Sequence, residues 1–372
     1  MQALEPLRRI REELSQLFVE RAAAIDGALT CLLARQHLLL IGPPGTAKSM
    51  LAEELCARIE GARYFSWLLT KFSTPEELFG AVSLAALEND DFRRVTTHKL
   101  PEAHIAFLDE VFKANSSILN ALLGIMNERR FHNGRAVEAV PLLTLFGATN
   151  ELPEEDELQA LYDRFLVRLV VGYIEEDFQF LRMLQGKGVP SRSLLTLEQL
   201  QELQAAAAEV EVPPAIFRSL AEIRRALNQK HIVASDRRYR QAVSLLQAHA
   251  LLRGAAQVAE EDLYFLEHAL WRVPSEKAEV HAVIHQHLRG YEDEAKALLF
   301  QSQELHEYAS RPWENGEQRS RAVLEAHTKI NRILHELSRL IDDAQQRGRP
   351  VEAVEAVRQQ VVQIQQRMLE TL

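Results

Sequence analysis

Cysteine is nearly absent from this 372-residue chain, with only Cys31 and Cys56. Two thiols make no disulfide framework, so the fold rests on its hydrophobic core and a reducing, cytoplasmic setting is expected. Long apolar runs are also missing. None approaches the ~20 residues that a membrane-spanning helix needs, so no membrane span is expected. The first thirty residues carry Arg8, Arg9, Arg11, Glu12, Glu13, Glu20 and Arg21, which is not the pattern of a secretion signal. Basic charge is not in excess. A formal net charge of −10 counts against non-specific nucleic-acid binding, which relies on clustered Lys and Arg. One local basic segment, Asp236-Arg-Arg-Tyr-Arg240, stands against that balance. Internal repeats, low-complexity tracts and an Asn-Lys-x-Asp guanine reader are all lacking.

What remains is ordinary globular composition, 47% apolar and 26% charged, in a chain long enough for more than one domain. Leu4, Leu7, Ile10, Leu14, Leu17 and Phe18 recur at helical spacing. From 37 to 171, short apolar strands alternate with helical patterns. The strand candidates are His37–Ile41, Arg63–Leu69, Ile105–Asp109, Leu142–Ala148 and Leu166–Val171. Such alternation predicts βαβ units and a parallel sheet. Beyond Gly172 the strand pattern ends and helices follow, with breaks at Gly186-Lys-Gly188 and Pro213-Pro214. Trp271 to Pro274 reads as a boundary. Val354, Val357, Val361, Ile364 and Met368 step by three and four. That seam suits either a helical hairpin with 318–346, joined through Arg347-Gly-Arg-Pro350, or an ordinary amphipathic helix on its neighbour. The expected division is 1–172, an α/β core with an N-terminal helix; 173–273, a helical lid; and 274–372, a helical C-terminal region.

The chemistry starts at Gly42-Pro-Pro-Gly-Thr-Ala-Lys-Ser49, directly after the apolar run 37–41. A phosphate-binding loop needs backbone N–H groups turned into one concavity, a helix N-terminus, a lysine and a hydroxyl. Gly42 and Gly45 give the backbone freedom, and Pro43 and Pro44 stiffen the entry. Thr46 and Ala47 complete the turn, Lys48 suits the β- and γ-phosphates, and Ser49 suits Mg²⁺. Ala47 stands where the usual pattern has its second glycine. If the backbone there is already helical, the position asks only for a small residue, and alanine satisfies that.

Residues 105–112 read Ile-Ala-Phe-Leu-Asp-Glu-Val-Phe, a strand ending in two carboxylates. Ligands of parallel sheets gather at the carboxyl ends of strands. Asp109 is therefore expected in the Mg²⁺ shell beside Ser49, and Glu110 is expected to orient and deprotonate a water. Asn150, after the strand 142–148, offers an amide to that water or to the γ-phosphate, or simply turns the chain.

With these three elements in order, the chain resembles the AAA+ ATPases, and within them the MoxR branch and its RavA-like subgroup. The matching segments are Gly42–Ser49, Phe72-Ser-Thr-Pro-Glu-Glu-Leu-Phe-Gly80, Leu100–Glu110, Asn127-Glu-Arg-Arg-Phe131, Ala148-Thr-Asn-Glu-Leu-Pro153 and Leu161-Tyr-Asp-Arg-Phe165. The MoxR form of the loop carries alanine before the lysine, as this chain does. The resemblance implies an α/β fold with a parallel five-stranded sheet of order 5-1-4-3-2, a helical lid, and a homo-oligomeric ring, usually a hexamer. It assigns Lys48 and Ser49 to Walker A, Asp109 and Glu110 to Walker B, and Asn150 to sensor 1. Arg164 matches the arginine finger, with Arg168 as its rival, and Arg237 matches the sensor 2 arginine of the lid. A planar, permanently charged guanidinium suits a phosphoryl group in transfer. ATP and Mg²⁺ are the implied ligands.

Two insertions are also expected of this branch. Asn133-Gly134, between Arg130-Phe-His132 and Arg135-Ala-Val137, signals a two-residue hairpin. A second excursion falls at 80–100. In similar proteins these parts face the pore or the substrate; as plain loops they would cover the sheet. His281, His285 and His287 raise a metal site, but no partner set completes it, so solvated histidines are expected. The resemblance implies an ATP-driven remodeller of a protein partner, acting with a separate von Willebrand factor A (vWA) domain protein. The alternative is a nucleic-acid-stimulated motor.

Overall fold

A computed structural model describes residues 4–153, 156–185, 192–311, 313, 315–346, 349 and 351–369. The expected break at 186–188 lies outside these residues, as does most of the connector 347–350. The chain divides into two compact units, Met1–Pro213 with Lys230–Val280, and Pro214–Gln229 with His281–Leu372.

The first unit opens with α1 (Leu4–Leu17) and α2 (Ala22–Ala34), then β1 (Leu38–Ile41) and α3 (Lys48–Cys56). Next come β2 (Ile59–Glu60), β3 (Tyr64–Leu68), α4 (Pro75–Phe79), α5 (Leu84–Leu87), β4 (Ile105–Asp109) and α6 (Ser116–Glu128). The hairpin β5 (Arg130–Asn133) and β6 (Ala136–Ala139) leads to β7 (Thr144–Thr149), α7 (Asp156–Tyr162) and β8 (Val167–Val170). After these follow α8 (Asp177–Gln185), β9 (Leu195–Thr196), α9 (Leu197–Ala208) and, beyond α10 (Pro214–Gln229) of the second unit, α11 (Asp236–Arg253).

Five parallel strands form the central sheet in the order β3-β4-β7-β1-β8. Counted along the chain as five, this is 5-1-4-3-2, the AAA+ order. The middle strands are buried along nearly their whole length, because helices cover both faces of a parallel sheet. Leu29, Leu32, Leu38, Phe107 and Phe146 lie in one continuous apolar core. Each such side chain contributes about 1.5–3 kcal/mol by leaving water. The register aligns the strand ends that matter: Ile41 pairs with Thr149, and Leu108 with Gly147. Local signals fix the helices beside them. Asn115 Oδ1 caps α6 by accepting from Ile118 N–H at 3.1 Å, and Ser235 Oγ caps α11 by accepting from Arg238 N–H at 3.2 Å.

Two sequence expectations shift in detail. The strand pattern does not end at Gly172, because β9 adds a two-residue parallel pairing to β2. The hairpin loop is Gly134–Arg135 rather than Asn133–Gly134, since Asn133 pairs with Ala136. Only Gly134 has positive φ, at 62°, as a type II′ turn requires. This frees Asn133 for another task. Its side chain accepts from Arg94 N–H at 2.6 Å and donates to Arg94 C=O at 3.2 Å, tying the hairpin to the excursion 81–96. Both insertions carry exposed apolar side chains, among them Leu84, Phe92 and Val137.

The second unit holds α10, most of α12 (Lys277–Ala309), α13 (Gly316–Gln346) and α14 (Glu352–Leu369). Val354, Val361 and Met368 of the predicted seam are buried in its core with Ile330 and Leu337. His287 is not solvated here. It accepts from the Arg349 guanidinium at 2.8 Å and faces Glu222 at 3.6 Å.

Candidate functional site

The loop 42–47 links β1 to α3 at the carboxyl edge of the sheet. Gly42 N–H donates to Thr149 C=O at 2.9 Å, pinning the loop to the last residue of β7, just before Asn150. A side chain at Gly42 would place its Cβ 2.0 Å from Val171 C=O, so only glycine fits there. Lys48 Nζ donates to the Gly42 and Pro43 carbonyls, each at 2.7 Å, and Thr46 Oγ1 donates to Pro43 C=O at 3.0 Å. Burial pushes the Lys48 ammonium below its usual pKa range, while the carboxylates of Asp109 and Glu110 pull it back up. Both acids are therefore within electrostatic reach of the lysine. The first-turn N–H groups of α3 have no intrahelical acceptor and suit an anion.

Glu110 is the junction of the acidic side. Its Oε1 accepts from Asn150 Nδ2 at 3.2 Å, its Oε2 meets Lys113 Nζ at 3.3 Å, and its N–H donates to Asp109 Oδ1 at 3.0 Å. Beside the loop opens a mainly apolar cavity of about 500 Å³, lined by Phe18, Val19, Ala47, Met50, Tyr173 and Phe180. Arg21 roofs the loop, donating to Thr46 C=O at 3.3 Å and Gly172 C=O at 2.8 Å.

A second polar cavity, of about 230 Å³, lies at the other end of β1, where Gln36 and His37 precede the strand. Arg35, Arg129, Arg164 and Arg237 line it, with Asn127 and no acidic side chain among the described residues. Arg237 Nη2 donates to Asn127 Oδ1 at 2.9 Å. Arg164 Nε is buried without a hydrogen-bond partner among the described residues. Burial lowers the Arg164 pKa, and the nearby Arg237 charge lowers it further.

Residues 5–208 match the family described as the MoxR domain in the MoxR-vWA-beta-propeller ternary systems. The chain belongs to the MoxR family of AAA+ ATPases. Residues 215–284 match an AAA lid domain. An uncharacterised protein of Methanocaldococcus jannaschii is 41% identical over 95% of this chain and 96% of its own length. The chaperone MoxR1 of Mycobacterium tuberculosis is 28% identical over 54% of each chain. A crystal structure from Cytophaga hutchinsonii, assigned as an ATPase, shares the fold with a TM-score of 0.62 and 16% identity, over 77% of this chain and 94% of its own.

The structure of this MoxR protein corrects one local expectation. Ala47 is not right-handed helical, since φ is 63° and ψ is 25°. A non-glycine residue there costs about 1–2 kcal/mol. Glu110 sits in the same region, at φ 52° and ψ 45°. The loop and the acid pair thus each hold a left-handed residue, as do Arg35 and Arg129 beside the polar cavity. The two rival arginines sit differently. Arg168 is 2% exposed, and its N–H groups reach the carbonyls of Tyr162, Phe165 and Trp271, whereas Arg164 lines the cavity. Sequence reasoning missed Arg35, Asn127 and Arg129 as lining residues. Asn127 and Arg129 lay in a matched segment but carried no chemical signal of their own.

Proposed function

We propose that this MoxR protein is a Mg²⁺-dependent ATP hydrolase that works as a homo-oligomeric ring and remodels, or helps to mature, a protein partner. One observation carries the reading. The hydrolytic groups are split between the two ends of β1. Lys48, Asp109, Glu110 and Asn150 gather at the carboxyl edge, and Arg164 and Arg237 line the cavity at the amino end. Four residues of strand span about 13 Å, so the arginine cavity and the loop of one subunit lie apart. A neighbouring subunit that offers its arginine edge to the loop completes the set.

The donor types fit the ligands. Loop amides, Lys48 and the half-turn of α3 hold the phosphates, and the apolar cavity beside Ala47 suits an adenine. Ser49, exposed at the start of α3, and Asp109 would hold Mg²⁺, which neutralises charge on the phosphate oxygens when bound. Glu110, aligned by Asn150, takes the proton of the attacking water. Arg164 and Arg237 stabilise the charge that spreads over the departing phosphoryl group. The exposed apolar residues of the two insertions supply a surface for a protein client.

The partner expectation follows the matched family, whose description names vWA and β-propeller proteins. Kinship with the RavA-like subgroup rests on the matched segments alone. The functional division into 1–172, 173–273 and 274–372, and a cytoplasmic place of work, belong to the same reading. No described helix is long and apolar enough to cross a membrane.

Affinity capture with the Glu110→Gln form in ATP tests the proposal. Blocked turnover with retained nucleotide should trap a protein client, with a vWA-domain protein as the expected companion. Recovery of DNA alone would overturn the remodeller in favour of a nucleic-acid motor.

A further inference from the structure

Arg164 occupies the short turn between α7 and β8. The peptide carbonyls around it belong to Tyr162, Asp163, Phe165 and Leu166, and every one of them accepts from a buried arginine. Arg168 donates to Tyr162 C=O and Phe165 C=O, both at 3.2 Å. Arg238 donates to Asp163 C=O at 3.4 Å, Phe165 C=O at 3.1 Å and Leu166 C=O at 2.8 Å. The same guanidiniums also grip a distant segment. Arg168 reaches Trp271 C=O and Arg238 reaches Ala269 C=O, each at 2.7 Å.

Arg238 lies in the first turn of α11, next in sequence to Arg237. Its neighbour turns instead into the arginine cavity and meets Asn127. One residue thus holds the turn that carries Arg164 while sharing its backbone with Arg237. We propose that Arg238, seconded by Arg168, is a positioning residue that sets Arg164 and Arg237 as a fixed pair for a neighbouring subunit's phosphate. The proposal rests on the trans role of those two arginines given above.

The arrangement is costly for mere helix capping. Arg168 and Arg238 are 2% and 4% exposed. Among the described residues, the acid that meets them is Asp163, at 3.8 and 3.3 Å, and it is itself half exposed. Burial, then the Arg238 charge, pushes Arg168 down to about 9. Carbonyls at a helix end can be satisfied by water or by a lysine. A planar fork fixes several carbonyls at set angles, which an ammonium on a flexible stem does not. Arg238→Lys therefore keeps the charge and removes the geometry.

The test is a double-mutant cycle on turnover in the full chain, with Arg238→Lys, Arg164→Ala and the two combined. Circular dichroism and nucleotide affinity report folding. We expect Arg238→Lys to lower kcat by about tenfold or more, as lost charge-assisted bonds imply, with little change in the KM for ATP. Because Arg237 also depends on Arg238, the combined variant should be slower than Arg164→Ala alone but lose less than the product of the two single losses. Losses that multiply, or an unchanged kcat in Arg238→Lys, overturn the positioning role and leave the trans reading standing. An unchanged kcat in Arg164→Ala removes the trans reading, and this inference with it. Should Arg238→Lys fail to fold, Arg168→Lys loosens the second staple and is judged by the same cycle.

Discussion

The two ends of β1 solve opposite problems. The carboxyl end is built from backbone and a few mixed charges, with one lysine in electrostatic reach of two carboxylates and a loop that bonds to itself. At the amino end, function is carried by side chains of one sign, four arginines drawn from 35, 129, 164 and 237. On the reading proposed above, the first end binds the nucleotide, and the like charges gathered at the second serve a neighbouring subunit, whose phosphate would come between them.

The sharpest way to break this contrast is Arg164→Ala. We expect kcat to fall by about 10³-fold, the scale of a trans-acting arginine. Activity should return when this variant is mixed with Lys48→Ala, because one donates a loop and the other an arginine. Failure of mixing to restore turnover would place both groups in one subunit.

Glu110→Gln addresses the loop end. Turnover should fall by about 10²–10³-fold, the contribution of a general base, while fluorescent nucleotide still binds. Loss of binding instead would recast Glu110 as a structural partner of Lys113 and Asn150.

Acid should strike the arginine end. His37 is buried there, and burial followed by the Arg129 charge holds its pKa well below the usual value. The folded state thus keeps His37 neutral, while the unfolded chain takes up a proton near pH 6.5. Stability from this group is full above that pH and declines by about 1.4 kcal/mol per unit as pH falls below it. Thermal midpoints at pH 7 and 5.5 measure the slope, which His37→Gln should flatten.

The smallest effect concerns the strained alanine. Ala47→Gly relieves a left-handed residue at the cost of a freer unfolded chain, so stability should rise by about 1 kcal/mol or less. Chemical denaturation would detect it. A clear loss would mean that the methyl group packs against the nucleotide cavity more than it strains the loop.

The contrast also explains what could be read from sequence. The parallel sheet and the segments holding Lys48, Asp109 and Glu110 were legible because contiguous residues carry them, and because a parallel strand presents its last residue at a known edge; the strand order came only through resemblance. The left-handed backbone at Ala47 was not legible, since alanine advertises the opposite conformation. Of the arginine cavity, only Arg164 and Arg237 were singled out, and only through resemblance. Arg35, Asn127, Arg164 and Arg237 come from four separate places, and no spacing announces that they meet. The burial of Arg168 was equally silent, because an arginine three residues into a β-strand edge looks exposed on composition alone. The hairpin loop slipped by one residue for a physical reason: the Asn133 side chain bonds to Arg94 and is not spent on the turn.

That asparagine acts as a weld. One amide stands in for two rungs of a ladder, binding Arg94 through both its main-chain groups. The hairpin it belongs to springs straight from the end of α6, one turn past Asn127, the residue that grips Arg237. Tension applied to the tip of the excursion therefore has a bonded route, through a single side chain and the end of one helix, to the arginine cavity.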